Sequence, residues 1–466
     1  MLIWLIVLFA AAIALLLVLT ARPKLHPFAA LVTCAVAYGL AADMSFAWVL
    51  GSIGTGMAAN FGSVGLMLLA GTLVALFLER SGAGSRLARV ILGDGRPRPV
   101  GALMALAGWV AGIGASVEAA FLVLAPLARA LAAAAGRSAA AAQLRLGLAL
   151  LASHGLVVPA PAPIIAATIL DADIARVLGF GLIASAAGTL GGWAFVALAG
   201  RAAWLPRAGG DRPSPAPPDP ASAGAVPDSI APPPWMALLP IAVPLLLLMV
   251  GSVGQLPSEP FGGGGTRELL TALGGPVMML VASLLMALTL PAWRFRGGGW
   301  GMTGETGWLA SAFVAVAPVL LITAAAAGFA RVLQNSGVAE LAAEALADAV
   351  TGGAAGGLGL LLAFAIAAVI RIAQGSVLVA TISAAGFCEP LLGPLGLGDA
   401  DGRVLCVLAI GAGAIVASHA NDSLFWVVSR AIGLSVADGY RLQTPGSTCA
   451  GLAALLALLG LRAVGG

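Results

Sequence analysis

Long apolar segments, separated by short polar stretches, constrain the fold of this chain more than any other feature. A helix needs roughly 20 apolar residues to cross the hydrocarbon core of a bilayer. Only 9% of the 466 residues are charged, against roughly 25% in soluble domains, so the chain could not cover its surface with polar groups in water. We therefore predict an all-α polytopic membrane protein embedded in a lipid bilayer. The apolar segments lie at 2–20, 25–42, 62–79, 99–135, 143–170, 175–200, 235–254, 270–291, 305–333, 356–393, 403–430 and 442–464.

The charged residues indicate how the chain is oriented and argue against a nucleic-acid partner. The net charge is only +3, and the arginines concentrate in short loops, as the positive-inside rule describes. We therefore place the loop that contains Arg80, Arg86 and Arg89 in the cytoplasm. The first apolar segment lacks a basic start and a small-residue cleavage site, so it is predicted to be a retained span and not a signal peptide.

A proline-rich stretch at 201–234 divides the chain into two transmembrane halves, 1–200 and 235–466. It holds ten prolines and is typical of a flexible cytoplasmic linker. Matched motifs and an odd number of crossings in each half predict two inverted-topology repeats, each with about five spanning helices and a re-entrant helical hairpin. The matched pairs are Ser81-Gly82 with Ser336-Gly337, Gly112–Ser116 with Ile372–Ser376, and Ser153-His154 with Ser418-His419.

Two interrupted apolar segments in the first half are candidate parts of a site, because transporters built from inverted repeats bind substrate where helices break near the midplane. One contains Ser116, a candidate substrate-binding hydroxyl, and Glu118. A carboxylate inside the membrane is costly, so Glu118 is either a proton-coupling group or a structural, paired glutamate. The other contains His154, followed by prolines at alternate positions. His154 either titrates or hydrogen-bonds the carbonyls that the prolines free.

The third interrupted segment, in the second half, carries a candidate substrate anchor. Arg371 lies between apolar runs, and its planar guanidinium suits a carboxylate. Gln374, Gly375 and Ser376 follow it and would place amides and a hydroxyl at a hairpin tip. The alternative is an arginine that extends to the membrane interface.

The fourth interrupted segment is the densest polar cluster in the chain. His419, Asn421, Asp422 and Ser423 lie between apolar runs, and burying them without partners would cost on the order of several kcal/mol. Asn421 and Ser423 are predicted to bind substrate, whereas His419 and Asp422 are predicted to couple protons. The alternative is an interfacial loop.

These segments resemble the gluconate permease (GntP) family of bacterial proton symporters, within the wider ion-transporter superfamily. RIAQGS at Arg371–Ser376 and SHANDSLFW at Ser418–Trp426 are similar to the family patterns R-V-A-Q-G-S and S-H-x-N-D-S-x-F-W. The resemblance implies proton-coupled uptake of gluconate or a related sugar acid or hydroxy carboxylate through the bacterial inner membrane, and supports the duplicated architecture with hairpins.

Two departures from the family patterns leave the identity of the substrate undetermined. Ala115–Phe121 reads ASVEAAF where the family has F-F-D-V-G-F, and Pro159–Pro163 reads PAPAP where the family has P-H-P-G-P. Both lie in the predicted site of the first half, so they concern the groups that would contact the substrate.

The sequence as a whole predicts a secondary transporter that works by alternating access. A sodium-coupled carboxylate carrier or a cation antiporter on the same scaffold is the alternative. The chain has no HExxH, GxSxG or Walker motif, so we predict that it is not an enzyme and needs no cofactor or metal. Whether it forms a homo-oligomer stays open.

Overall fold

The computed structural model describes residues 2–21, 25–92, 99–113, 117–201, 232–254, 260–262, 264–290, 308–338, 341 and 358–465. These residues are mostly helical and include no β-strand, which confirms the predicted all-α class. Helices satisfy their backbone hydrogen bonds internally, as a chain surrounded by lipid requires. The predicted linker lies outside the described residues except at its two ends, and so does Ser116.

The first half consists of short and long helices in alternation. They are α1 (Leu2–Ala21), α2 (Pro27–Ala41), α3 (Phe46–Asn60), α4 (Leu66–Arg80), α5 (Ala83–Leu92), α6 (Val100–Ala111), α7 (Val117–Ala134), α8 (Ala139–Leu156), α9 (Pro161–Ile169) and α10 (Ile174–Arg201).

The second half follows a similar order in its final part. Its helices are α11 (Pro234–Gly254), α12 (Gly265–Leu273), α13 (Pro276–Ala287), α14 (Trp308–Asn335), α15 (Gly359–Gln374), α16 (Val377–Cys388), α17 (Ala400–Ala414), α18 (Ser423–Ile432) and α19 (Val436–Gly465).

The lengths of the helices agree with a protein that crosses a membrane several times. Within the described ranges, six helical stretches are long and apolar enough to span a bilayer, and shorter apolar helices accompany them. The count of about five crossings per half stays a prediction. The six stretches are Val117–Ala134, Ala139–Ile169, Ile174–Gly200, Pro234–Gly251, Ala312–Asn335 and Val436–Val464.

The same succession of elements occurs in α6–α10 and in α15–α19. Each series has two successive helices, then a pair of helices separated by a break, then one long helix. The halves interlock through these elements, because α7 packs on α18 and α16 packs on α9. Each hairpin-like pair therefore contacts the helix that follows the break in the other half.

The two long final helices, α10 and α19, form a close contact between the halves. A Cβ added at Gly191 would lie 2.5 Å from Cβ of Ala453, and one added at Gly188 would lie 3.1 Å from the carbonyl oxygen of Ala450. Small residues let helix backbones approach in membranes, where packing rather than water exclusion drives association.

One apolar segment begins earlier than its sequence suggests. The segment predicted at 62–79 continues a helix that starts at Phe46, because α3 runs through a π-helical turn at Phe61–Gly65 into α4. Glycines and hydroxyl residues between Gly51 and Gly56 lower the hydropathy of α3, so a search for apolar runs does not detect this helix. Gly56 has a packing role, since a Cβ added there would overlap the backbone of Ala327 in α14, whereas one added at Gly51 or Gly54 would meet nothing within 4 Å.

Candidate functional site

Two breaks in the helices of the second half meet inside the protein. The first is the turn between α15 and α16, where Gly375 has a φ of +70° and Ser376 caps α16 by accepting a hydrogen bond from the amide of Val379 at 3.4 Å. The second is the unwound segment 415–422 between α17 and α18, which Asp422 ends by capping α18. Since both breaks leave helix ends inside an apolar protein, their backbone groups need partners.

The unwound segment supplies the partners for the end of α15. Nδ2 of Asn421 donates to the carbonyl oxygens of Ile372 at 2.8 Å and Ala373 at 3.1 Å. Nε2 of His419 lies 2.8 Å from the oxygen of Ile372, and because a carbonyl only accepts, this nitrogen carries the proton. A Cβ added at Gly375 would overlap the backbone of Asn421, so glycine is required where the two breaks touch.

Hydroxyl groups on α19 hold the unwound segment from the other side. Thr444 donates through Oγ1 to the carbonyl of Ser418 at 2.7 Å, and Oγ of Ser447 accepts from the amide of Ser418 at 3.0 Å. Oγ1 of Thr448 accepts from the amide of Ala417 at 3.2 Å. The backbone of the break at Ala417 and Ser418 is therefore hydrogen-bonded to α19, and residues Ser418–Asp422 are buried, which argues against an interfacial loop.

A buried ion pair lies where the two breaks meet. Nη2 of Arg371 contacts Oδ2 of Asp422, and the two residues are 1% and 5% exposed. Asp422 also accepts from Oγ of Ser418 at 2.5 Å and from the amide of Leu424 at 3.0 Å. The Asp422 carboxylate therefore has three hydrogen-bond donors around it.

Several buried polar atoms in and next to this pair have no hydrogen-bond partner among the described residues. Nη1 and Nε of Arg371 and Oδ1 of Asn421 have no hydrogen-bond partner among the described residues, although each is shielded from solvent. Buried polar groups are nearly always satisfied, so these atoms mark the place where a polar ligand or water would bind. The snorkelling alternative for Arg371 is wrong, because its guanidinium lies inside the protein.

A second polar group joins this site to α3 and α14. Nδ2 of Asn60 donates to Oγ of Ser423 at 3.2 Å, and Oγ1 of Thr323 donates to Oδ1 of Asn60 at the same distance. Asn60 is the last residue of α3, directly before the π-helical turn. Side chains from three separate parts of the chain thus converge next to Asp422.

The structure brings together most of the predicted residues of the second half, and of those of the first half it describes Glu118 and His154 but not Ser116. Arg371, Gly375, Asn421, Asp422 and His419 are joined directly by the contacts above. Ser423 adjoins Asp422 and contacts Asn60, while Gln374 is buried at the end of α15 and Ser376 follows the turn as the cap of α16. Glu118 is half-buried in the first turn of α7, and His154 is half-buried in the last turn of α8.

The sequence prediction omitted several polar residues of the site. Asn60 and Thr323 are neutral and belong to no dense polar cluster in the sequence, so they give no charge signal. Ser418 is part of the quoted motif but was not assigned a role. Thr444, Ser447 and Thr448 occur at helical spacing in an apolar segment, and this spacing predicts a polar helix face.

Comparison with known proteins extends over both halves. A sequence profile of the GntP family permeases matches residues 4–464. The gluconate permease of Pseudomonas aeruginosa is 30% identical, with 96% of this chain and 95% of that protein covered. The Gnt-II system L-idonate transporter of Escherichia coli K12 is 27% identical, with 98% and 99% covered. The D-serine transporter DsdX of the same strain is 27% identical, with 97% of each chain covered.

Proposed function

The chain belongs to the GntP family of permeases, and from this premise we propose that it takes up a small sugar acid or hydroxy carboxylate together with a proton. As a member of this family it is a multi-pass transporter of the bacterial inner membrane and not an enzyme. The relatives named for gluconate, L-idonate and D-serine all carry small organic acids, which supports a carboxylate as the common substrate group.

The observation that carries the proposal is the set of hydrogen-bond partners of the Arg371 guanidinium. A guanidinium grips a carboxylate with two parallel N–H groups, and each edge that offers such a pair of nitrogens includes Nη2. In the structure Nη2 donates a hydrogen bond to Asp422, while Nη1 and Nε have no hydrogen-bond partner among the described residues. Nη2 carries two N–H groups and gives one to Asp422, so a substrate carboxylate at this guanidinium would share one buried cation with a second carboxylate.

Protonation of Asp422 removes this excess negative charge. A neutral carboxylic acid attracts Arg371 much less than a carboxylate does, and the incoming substrate anion then replaces the lost negative charge. An uncompensated charge at this depth would cost several kcal/mol, so Arg371 is stable only with Asp422 ionised or with the substrate bound. Proton and anion must accordingly bind together, which is the requirement for symport.

The arrangement of the broken helices supports alternating access. Ser376 and Asp422 cap two helices whose N-termini begin at the breaks, and helix N-termini favour anions. The repeated succession of α6–α10 and α15–α19 supports two inverted repeats, with α6/α7 and α15/α16 as re-entrant hairpins. Movement between these halves would expose the site to each side of the membrane in turn.

The roles of the other titratable residues differ in this proposal. Asp422 is the proton carrier, whereas His419 holds the end of α15 through its Nε2–H group. Glu118 and His154 stay candidates for proton entry from the first half, and Ser116 stays a candidate substrate contact. Gln374 would face the hydroxyl groups of the substrate together with Asn421.

Uptake of radiolabelled D-gluconate by the purified protein in liposomes tests the proposal. We expect accumulation driven by an inward proton gradient, abolished by an uncoupler and independent of sodium. Asp422→Asn imitates the protonated state, so this variant should exchange gluconate across the membrane but lose gradient-driven accumulation. Asp401→Asn, which alters an exposed carboxylate paired with Arg176, serves as the control and should behave as the wild type.

Two results would contradict this mechanism. Accumulation that follows a sodium gradient and ignores the uncoupler would select the sodium-coupled alternative. Undiminished accumulation by Asp422→Asn would remove Asp422 as the proton carrier, even if gluconate is the substrate.

A further inference from the structure

We propose that Asn60, positioned by Thr323, recognises the polar group on the carbon next to the substrate carboxylate. The inference rests on the proposed function and narrows its substrate class to carboxylates with a hydroxyl or an amino group at that carbon, C2. Asn60 lies outside all the segments that the sequence marked as candidate parts of the site, and it belongs to the first half of the chain.

The position of Asn60 supports this role. Its neighbour Ser423 directly follows Asp422, and adjacent Cα atoms are about 3.8 Å apart. Asp422 occupies Nη2 of Arg371, where the proposed substrate carboxylate binds after the proton arrives. Because C2 is one bond from the carboxylate carbon, a substrate held there has its C2 group near the residues that adjoin Asp422, which include Ser423 and its partner Asn60.

The chemistry of the asparagine amide explains the breadth of this class. An amide has both a donor and an acceptor, and Asn60 uses Nδ2 towards Ser423 and Oδ1 towards Thr323. Gluconate and L-idonate have a hydroxyl at C2 and D-serine has an amino group, so one amide could serve all three by donating or accepting. The hydrogen bond from Thr323 to Oδ1 fixes the orientation of the Asn60 amide relative to the proposed substrate.

The π-helical turn at 61–65 gives a second, independent reason to assign function to this place. Such turns interrupt regular helices at a cost and occur frequently at functional sites. This one begins directly after Asn60. Asn60 is 4% exposed in an apolar surrounding, where an amide is costly unless its polar atoms are satisfied.

A purely structural role for Asn60 would be to join α3 to α14, and the chain offers a matched control for that role. Ser52 in α3 accepts a hydrogen bond from Nδ2 of Asn335 in α14 at 2.7 Å. It lies eight residues before Asn60, which is about 12 Å along a helix. Ser52 therefore joins the same two helices away from the Arg371–Asp422 pair.

The test compares two competing ligands that differ at C2 only. Inhibition constants of D-gluconate and 2-deoxy-D-gluconate are measured against radiolabelled gluconate exchange by the full-length protein in liposomes. We expect the wild type and Ser52→Ala to prefer gluconate by about tenfold, as the loss of a hydrogen bond from a buried amide implies. Asn60→Leu should lose this preference by binding gluconate more weakly, with the affinity for the deoxy compound unchanged.

Thr323→Val gives a second variant that keeps the shape of the side chain and removes the hydroxyl, which contacts Oδ1 of Asn60 at 3.2 Å and the carbonyl oxygen of Leu320 at 3.0 Å. We expect it to reduce the preference for gluconate without a loss of stability larger than that of Ser52→Ala. The inference is overturned if Asn60→Leu or Thr323→Val keeps the full preference, or weakens both ligands equally. Absence of gluconate exchange by the wild type overturns the proposed function and this inference with it.

Discussion

Two residues, Arg371 and Asp422, determine the charge of the site, and each compensates the charge of the other. Both side chains are almost completely buried, so removing one leaves the other as an uncompensated charge. Removing one member of such a pair typically costs 3–5 kcal/mol, whereas replacing both by neutral groups is often close to neutral. The effects of the two substitutions on stability should therefore not be additive.

We predict that Arg371→Gln lowers the stability of the protein by about 3 kcal/mol, and that Arg371→Gln combined with Asp422→Asn restores most of it. The double variant should still fail to take up gluconate, because the carboxylate anchor is gone. Thermal unfolding in detergent and uptake in liposomes measure the two properties separately. Equal instability of the single and double variants would show that the pair is not coupled, and uptake by the double variant would remove Arg371 as the anchor.

The sequence predicted the residues of the site that are charged or belong to dense polar clusters. Arg371 and Asp422 were visible because a charged residue inside an apolar run is rare and costly. Asn60 and Thr323 were not, because single neutral polar side chains in apolar helices are common and the partners of these two are far away along the chain. Only the fold brings Ser423 and Asn60, 363 residues apart, into contact.

At the level of the elements, the breaks in the helices define where the site can be. The break after His154 was predictable from prolines at alternate positions, and α8 does end at Leu156. The turn at Gly375 was predictable as a hairpin tip, but its contact with Asn421 was not, since it depends on how α15 and α17 pack. Glycine is required there for two reasons: its φ of +70° and its contact with the neighbouring backbone.

We predict that Gly375→Ala destabilises the protein by about 2 kcal/mol or more, because alanine is strained at positive φ and its Cβ would overlap Asn421. Gly386→Ala in the adjacent α16 is the control. A Cβ added at Gly386 meets nothing within 4 Å, so this variant should be as stable as the wild type or more stable. Unfolding temperatures in detergent make the comparison, and similar temperatures for both variants would contradict the assigned contact.

For the whole molecule, the contact between α10 and α19 is a main connection of the two halves. Its helices approach through small residues, among them Gly188, Gly191 and Ala450. A search for apolar runs detected both helices, yet it could not predict that they pack on each other, because apolar helices in a membrane have no solvent-exposed face to orient them.

We predict that Gly191→Leu weakens the association of the halves, because a large side chain cannot fit within 2.5 Å of Ala453. Overpacking of this kind costs about 1–3 kcal/mol. Gly179→Leu places the same side chain on α10 where no atom lies within 4 Å and is the matched control. Thermal stability and size-exclusion profiles of the purified variants test this, and equal behaviour would contradict a tight contact between the helices.

The π-helical turn between α3 and α4 limits where the chain can gain or lose a residue. A π-helical turn contains one residue more than a regular turn, so it sets the rotation of α3 relative to α4. Deleting one residue there would turn one helix against the other by about 100°, the angle between successive residues of a helix. Because α3 and α4 both pack against α14, we expect insertions and deletions at this point to be more damaging than substitutions.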